Sequence, residues 1–152
     1  FEKNAVEIHD QLTQLDAMLN VHVKLPAMIN ETLYPALLHS DNANIIHMTD
    51  IYTLNPNEDY ASYCASKAAL ENLSLSYAKK FAPKVRVNTI QPGALMFLPE
   101  HSSEAKNRVL TQSLLQHESG FEPVVQSIDH ILKNKFLTGT AIKVDGGRSI
   151  CR

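Results

Sequence analysis

Apolar side chains recur at helical spacing over residues 5–39: Val6, Ile8, Leu12, Leu15, Met18 and Leu19, then Val23, Ile29, Leu33, Leu37 and Leu38. That spacing keeps one face apolar and predicts helix. Pro26 and Pro35 should bend or interrupt the run, because proline lacks an N–H and its ring crowds the preceding turn. Residues 44–49, Asn-Ile-Ile-His-Met-Thr, form a short apolar run between polar neighbours and predict a buried strand. The turn formers Asn55-Pro-Asn-Glu-Asp59 follow. Tyr60 to Phe81 predicts a long helix with a small-residue face of Ala65, Ala68, Ala69, Leu73 and Ala78. Val85-Arg-Val-Asn-Thr-Ile90 is rich in β-branched residues and runs into Gln91-Pro92-Gly93, as a strand entering a turn would. Helices are expected over residues 102–116 and 122–134, the second with Pro123 in its first turn. Residues 140–144 predict a last strand, closed by Asp145-Gly146-Gly147.

Strands that alternate with helices imply parallel pairing through helical crossovers, hence an α/β fold with a Rossmann-like, doubly wound parallel sheet. In such sheets ligands gather beyond the carboxyl ends of the strands. Those ends carry Asp50, Gln91-Pro92-Gly93 and Asp145, so the site is expected there.

The chain has 152 residues, enough for one domain spanning residues 1–152, and is 44% hydrophobic and 20% charged with a formal charge of −2. This balance favours neither nucleic acid nor an anionic membrane as partner. Lys79, Lys80, Lys84 and Arg86 read as the solvated end of a helix. Cys64 and Cys151 are far apart, which argues for a reducing compartment such as the cytoplasm and against a disulfide framework. His9, His39, His47, His101, His117 and His130 show no ligand spacing, so no metal is expected. No apolar run approaches the ~18 residues of a membrane span.

The chemistry concentrates at Asp50, Tyr63 and Lys67. Tyr63 and Lys67 are one helical turn apart and share a face. A nearby ammonium favours the phenolate, lowering the tyrosine pKa and making the phenol a usable proton donor or acceptor. Lysine also has donors to spare for a sugar hydroxyl pair. Asp50, thirteen residues earlier, either caps the turn after its strand or faces the same site.

Three segments, Y-C-A-S-K-A-A-L (63–70), V-R-V-N-T-I-Q-P-G (85–93) and F-L-T-G-T-A-I-K-V-D-G-G (136–147), resemble the short-chain dehydrogenase/reductase family in order and spacing. The resemblance covers nearly the whole chain. It implies that Tyr63 exchanges the proton and that Lys67 binds the nicotinamide ribose and tunes Tyr63. Pro92, Gly93, Ala94 and Leu95 would lie along the cofactor. Two positions depart from the family. Asp50 stands where a serine is usual, and His22, four residues before Pro26, stands where an asparagine is usual. The aspartate looks like the pteridine reductase branch. I-I-H-M-T-D, V-H-V and D-G-G-R look like the bacterial dihydromonapterin reductases within it.

The resemblance therefore implies NADPH as cofactor and reduction of a C=N bond in a dihydropterin, with dihydrofolate a weaker substrate. Asp50 and Tyr63 would hold the pterin edge and supply its nitrogen with a proton. His22 would replace the asparagine in a proton relay, unless it only packs between helices. Phe97 occupies a place where the family often has threonine, and Met96 and Phe97, with Leu95 and Leu98, would form an apolar flap over the pterin unless they pack on helices. A carbonyl reductase of the 3-oxoacyl carrier-protein type and a non-catalytic fragment or scaffold are the competing readings. Subunit contacts through the helices near 16–38 and 60–81 would give a homodimer or homotetramer.

The family's glycine-rich turn for the pyrophosphate does not occur in these 152 residues. The expectation is a C-terminal portion holding the last three strands and their helices, with an unpaired edge on the strand at 44–49.

Overall fold

Three parallel strands form the sheet in the order β1-β2-β3: β1 Asn44–Met48, β2 Arg86–Pro92 and β3 Ala141–Val144. The computed structural model describes the backbone of residues 2–151 and the side chains of residues 8–151, so the side chain of Val6 lies outside it. Ile46 pairs with Asn88, and Ile90 with Ile142, which aligns the carboxyl ends of all three strands. Among the described residues, β1 has a strand on one side only.

Helices cover both faces, as a parallel sheet requires. One face meets α2 (Leu25–Leu37) and α3 (Ala61–Phe81), through a cluster of Ala43, Tyr77, Ala78, Phe81, Val85 and Val87. Tyr34 stacks on Phe81 with ring centroids 4.2 Å apart. The other face meets α5 (Glu122–Lys133), through Ile90, Val124 and Ile131. β2 is buried along Val87–Gln91 although three of those residues are polar. Each has partners: Asn88 bonds Leu137 O and Thr140 N, Thr89 donates to Glu71, and Gln91 donates to Glu71 and Thr53. Buried polar groups without such partners would be costly.

The first helical run does not break at its prolines. Helix α1 (Glu2–Leu19) continues through a π turn (Asn20–Lys24) into α2, and Pro26 falls in the first turn of α2. The wide turn is closed by the Leu25 N–H on Asn20 O. A π turn of this kind accommodates a proline just beyond it, whose missing N–H would otherwise leave a gap in the helix ladder. Pro35 sits inside α2.

Three expectations are corrected. Helix α4 spans only Ser103–Leu110, capped by the Ser102 hydroxyl on the Ala105 N–H. Beyond it the Thr111 and Ser113 hydroxyls bond back to Arg108 O and Leu110 O, competing with the helix, and Leu115 N donates instead to Gly146 O. The buried line of α3 runs through Ser66, Leu70, Ser74 and Ala78, and Ala65 is exposed. Arg86 is not a solvated charge. Its Nη1 donates to Ile131 O, Asn134 O and Leu137 O, closing the carboxyl end of α5 against β2.

Candidate active site

Strand β1 ends at Met48, and the chain turns sharply into a single 3₁₀ turn, Ile51–Thr53. Asp50 starts that turn in an extended conformation, and its Oδ1 accepts the Tyr52 N–H at 2.9 Å. The second oxygen, Oδ2, accepts the Tyr63 hydroxyl at 2.8 Å. One Asp50 oxygen thus caps the turn while the other holds the Tyr63 hydroxyl. Tyr63 stands in the first turn of α3, which is preceded by a 3₁₀ turn, Glu58–Tyr60, capped by Asn57 on the Asp59 N–H.

Lys67 lies one turn further, its Nζ donating to Met48 O at 2.9 Å and standing 5.7 Å from the Tyr63 ring centroid. Burial lowers the Lys67 pKa, with the Asp50 charge opposing. Tyr63 shifts opposite to the sequence expectation. Burial raises its pKa, and the hydrogen bond and charge of Asp50 raise it further. A carboxylate in hydrogen-bond contact outweighs an ammonium beyond the ring, because Coulomb energy falls with distance. The phenol is thus held in its protonated form.

His22, in the π turn, meets Tyr63 edge to face at 5.6 Å, and its Nδ1 lies 2.8 Å from Ser66 Oγ. Ser66 gives its own proton to Tyr63 O, so it accepts from His22 Nδ1–H and leaves Nε2 as the acceptor nitrogen. Burial, then the Lys67 charge, lowers the His22 pKa.

A cleft of about 390 Å³ opens beyond these groups, lined by Asp50, Ile51, Tyr52, Tyr60, Tyr63, Gly93, Ala94 and Arg148. Gly93 has no room for a side chain: a Cβ there would lie 2.9 Å from Asp145 Cα. The Ala94 and Leu95 amides have no protein acceptor among the described residues. Met96 and Phe97 are not brought to the cleft. Leu95 is drawn into the core cluster of Ile90, Val124 and Ile131, while the Phe97 N–H is held by Glu118 and its ring meets His101 edge-on at 6.0 Å.

Tyr52, Tyr60 and Arg148 were not singled out from the sequence as site residues. The signal for Arg148 was its place directly after Gly146-Gly147, at the end of the last strand. Tyr52 and Tyr60 flank the turn formers between the Asp50 and Tyr63 positions, which is where a rim would be found. Among the described residues no group of histidine, cysteine or acidic side chains could hold a metal, and no helix is long and apolar enough to cross a membrane.

Comparison with known proteins identifies the family. The family model described as Enoyl-(Acyl carrier protein) reductase matches residues 2–149. Dihydromonapterin reductase of Enterobacter sp. (strain 638) is 36% identical over 138 residues, covering 90% of this chain and 58% of that protein. Dihydromonapterin reductase of Escherichia coli O6:K15:H31 (strain 536 / UPEC) is 35% identical over the same shares. The chain thus spans somewhat over half the length of the curated relatives it matches. Among solved structures, FolM Alternative dihydrofolate reductase 1 from Brucella canis, complexed with NADP, superposes with a TM-score of 0.84 at 26% identity, over 93% of this chain and 56% of that one. Its counterpart from Brucella suis, also in complex with NADP, gives a TM-score of 0.85 at 26% identity, over 93% and 57%. Matched by the family model over residues 2–149 and by curated relatives at 35–36% identity, the chain belongs to the short-chain dehydrogenase/reductase family.

Proposed function

We propose that the protein reduces a dihydropterin, dihydromonapterin first and dihydrofolate second, to the tetrahydro form with NADPH. The observation that carries this reading is the 2.8 Å bond from the Tyr63 hydroxyl to Asp50 at the wall of the cleft. The names of the dihydromonapterin reductases and the NADP bound by the Brucella proteins support it.

The residues present fit a nicotinamide nucleotide. Lys67 spends one donor on Met48 O, and the others suit ribose hydroxyls. The amides of Ala94 and Leu95, following Pro92-Gly93, suit a phosphate. NADPH, when bound, supplies the hydride to the C=N carbon. Tyr63 then gives its proton to the ring nitrogen, which hydride addition has made strongly basic, so a weak acid suffices. Asp50 orients the phenol and accepts N–H donors of the pterin edge; after the transfer it takes up a proton from solvent in the open cleft and passes it to the phenolate oxygen. Lys67 limits the cost of a transient phenolate beside a carboxylate. The Nδ1–H bond to Ser66 leaves His22 with Nε2 as the nitrogen that could take up a proton for that relay. The same Asp50 disfavours a carbonyl substrate, because an anionic oxygen developing beside a carboxylate would be repelled.

The test uses the protein expressed from its gene, following NADPH absorbance with dihydromonapterin and with a β-keto thioester. Turnover of the dihydropterin is expected; turnover of the thioester alone would overturn the reading. A homodimer or homotetramer is expected by light scattering.

A further inference from the structure

Arg148 is anchored oddly for a cation. Its Nη2 donates to the Tyr52 hydroxyl at 3.0 Å and to Gln112 Oε1 at 2.8 Å, both neutral oxygens, and its guanidinium carbon stands 5.9 Å from the Tyr52 ring. No carboxylate pairs with it among the described residues. The nearest acid in sequence, Asp145, gives its oxygens to the Gly147 and Ser149 amides.

This unpaired guanidinium belongs to two recesses at once. One is the cleft holding Asp50 and Tyr63. The other, of about 350 Å³, lies on the far side of a shared wall of Ile51, Tyr52 and Arg148. The second recess is lined further by Asn55, Asn57, Thr111, Gln112 and Ser149, and Arg148 is its one charged lining residue. A polar pocket with a single, half-buried, unpaired positive charge is complementary to an anion, and guanidinium matches carboxylate in shape as well as charge. The first cleft already provides for a flat ring: tyrosines at its rim and a carboxylate for ring N–H donors.

We infer that the recess behind Tyr52 is a subsite for an anionic substrate tail, with Arg148 as the residue that admits dihydropterins bearing a side-chain carboxylate beside those with a neutral polyol. The assignment rests on the dihydropterin reading of the first cleft. Dihydrofolate carries such carboxylates and dihydromonapterin does not, so their ratio isolates the subsite.

The experiment measures kcat/KM for both substrates, with the protein expressed from its gene, in wild type, Arg148→Gln and Arg148→Lys. In Arg148→Gln the ratio of dihydrofolate to dihydromonapterin should fall about tenfold or more, since a bond to a charged group is worth more than a neutral one. The loss should sit in KM. Arg148→Lys should recover part of the ratio, and in wild type the dihydrofolate KM should rise with salt while that of dihydromonapterin does not. Calorimetric titration with folate and with biopterin gives a readout independent of turnover: Arg148→Gln should weaken folate more. An unchanged ratio, with both substrates impaired equally, would overturn the subsite and leave Arg148 as a support for Tyr52. Absence of turnover with every dihydropterin would instead sink the functional reading itself, and equal folate affinity in wild type and Arg148→Gln would still count against the subsite.

Discussion

Asp50 serves two partners with two oxygens, and that division decides what its replacements do. A serine in its place can keep one hydrogen bond but loses the charge and the second acceptor. Asp50→Ser is therefore expected to lower pterin kcat by roughly 10²-fold or more, the lower end of what a positioned proton-transfer group contributes. Tyr63→Phe should cost as much or more, and steady-state NADPH oxidation checks both. Tyr63 also makes a prediction about alkali. Its folded pKa lies above the unfolded value of ~10, so the protonated phenol contributes stability that is whole below that pH and is lost as pH climbs towards the folded pKa. Ultraviolet titration of tyrosinate should show a late-titrating component, of which the Tyr63 share disappears in Tyr63→Phe while that of Tyr77, also raised by burial, remains. An early, uniform titration would contradict the Asp50 contact.

Elements are locked to one another by polar bonds that hydrophobic pattern alone does not reveal. His47 on β1 receives a bond from Asn30 of α2 at Nε2, 3.1 Å, and gives one from Nδ1 to Ser74 of α3, 2.7 Å, while Ser74 donates onward to Leu70 O. Ser74→Ala leaves the buried Nδ1–H without an acceptor and should destabilise the protein by about 1–3 kcal/mol in urea unfolding. Burial depresses the His47 pKa, with the Glu71 charge opposing. Depression means that the unfolded chain binds the proton first, so the stability is present above pH ~6.5 and is lost as pH falls through the folded value. The urea midpoint should fall from pH 7 towards 5, less steeply in His47→Gln. Arg86→Met should cost about 2–3 kcal/mol, since three carbonyls at the end of α5 lose a charged donor.

How much of this was written in the pattern follows from the same bonds. All three strands and the long helix at 61–81 were legible, because β-branched runs and helical periodicity report burial directly. The packing line of α3 was not, since Ser66 and Ser74 are polar by type and buried only because His22 and His47 accept their geometry. Arg86 was misread for the opposite reason: a charge among lysines reads as solvated until the carbonyls it serves are brought near by folding. Asp50, Tyr63 and Lys67 were legible as a set through the family's spacing, whereas Met96 and Phe97 were placed by an apolar run, which does not say what it packs on.

At the scale of the molecule, the described chain presents the sheet's carboxyl end with its proton-handling groups, and these 152 residues contain no glycine-rich nucleotide turn. The 152-residue chain prepared alone is therefore expected to give no measurable calorimetric heat with NADPH. Clear saturable binding by these 152 residues would overturn that expectation and show that the Ala94 and Leu95 amides suffice to hold the phosphates. Along the first helices Ile8, Leu12, Met28 and Leu33 are each more than half exposed.

The bond from Arg148 to the Tyr52 hydroxyl joins positions 96 residues apart. Closing so long a loop carries an entropic cost that local helices escape. The recess between those two side chains cannot exist until both ends of the sheet have found their places, so ligand capture during refolding should lag behind the return of helical dichroism.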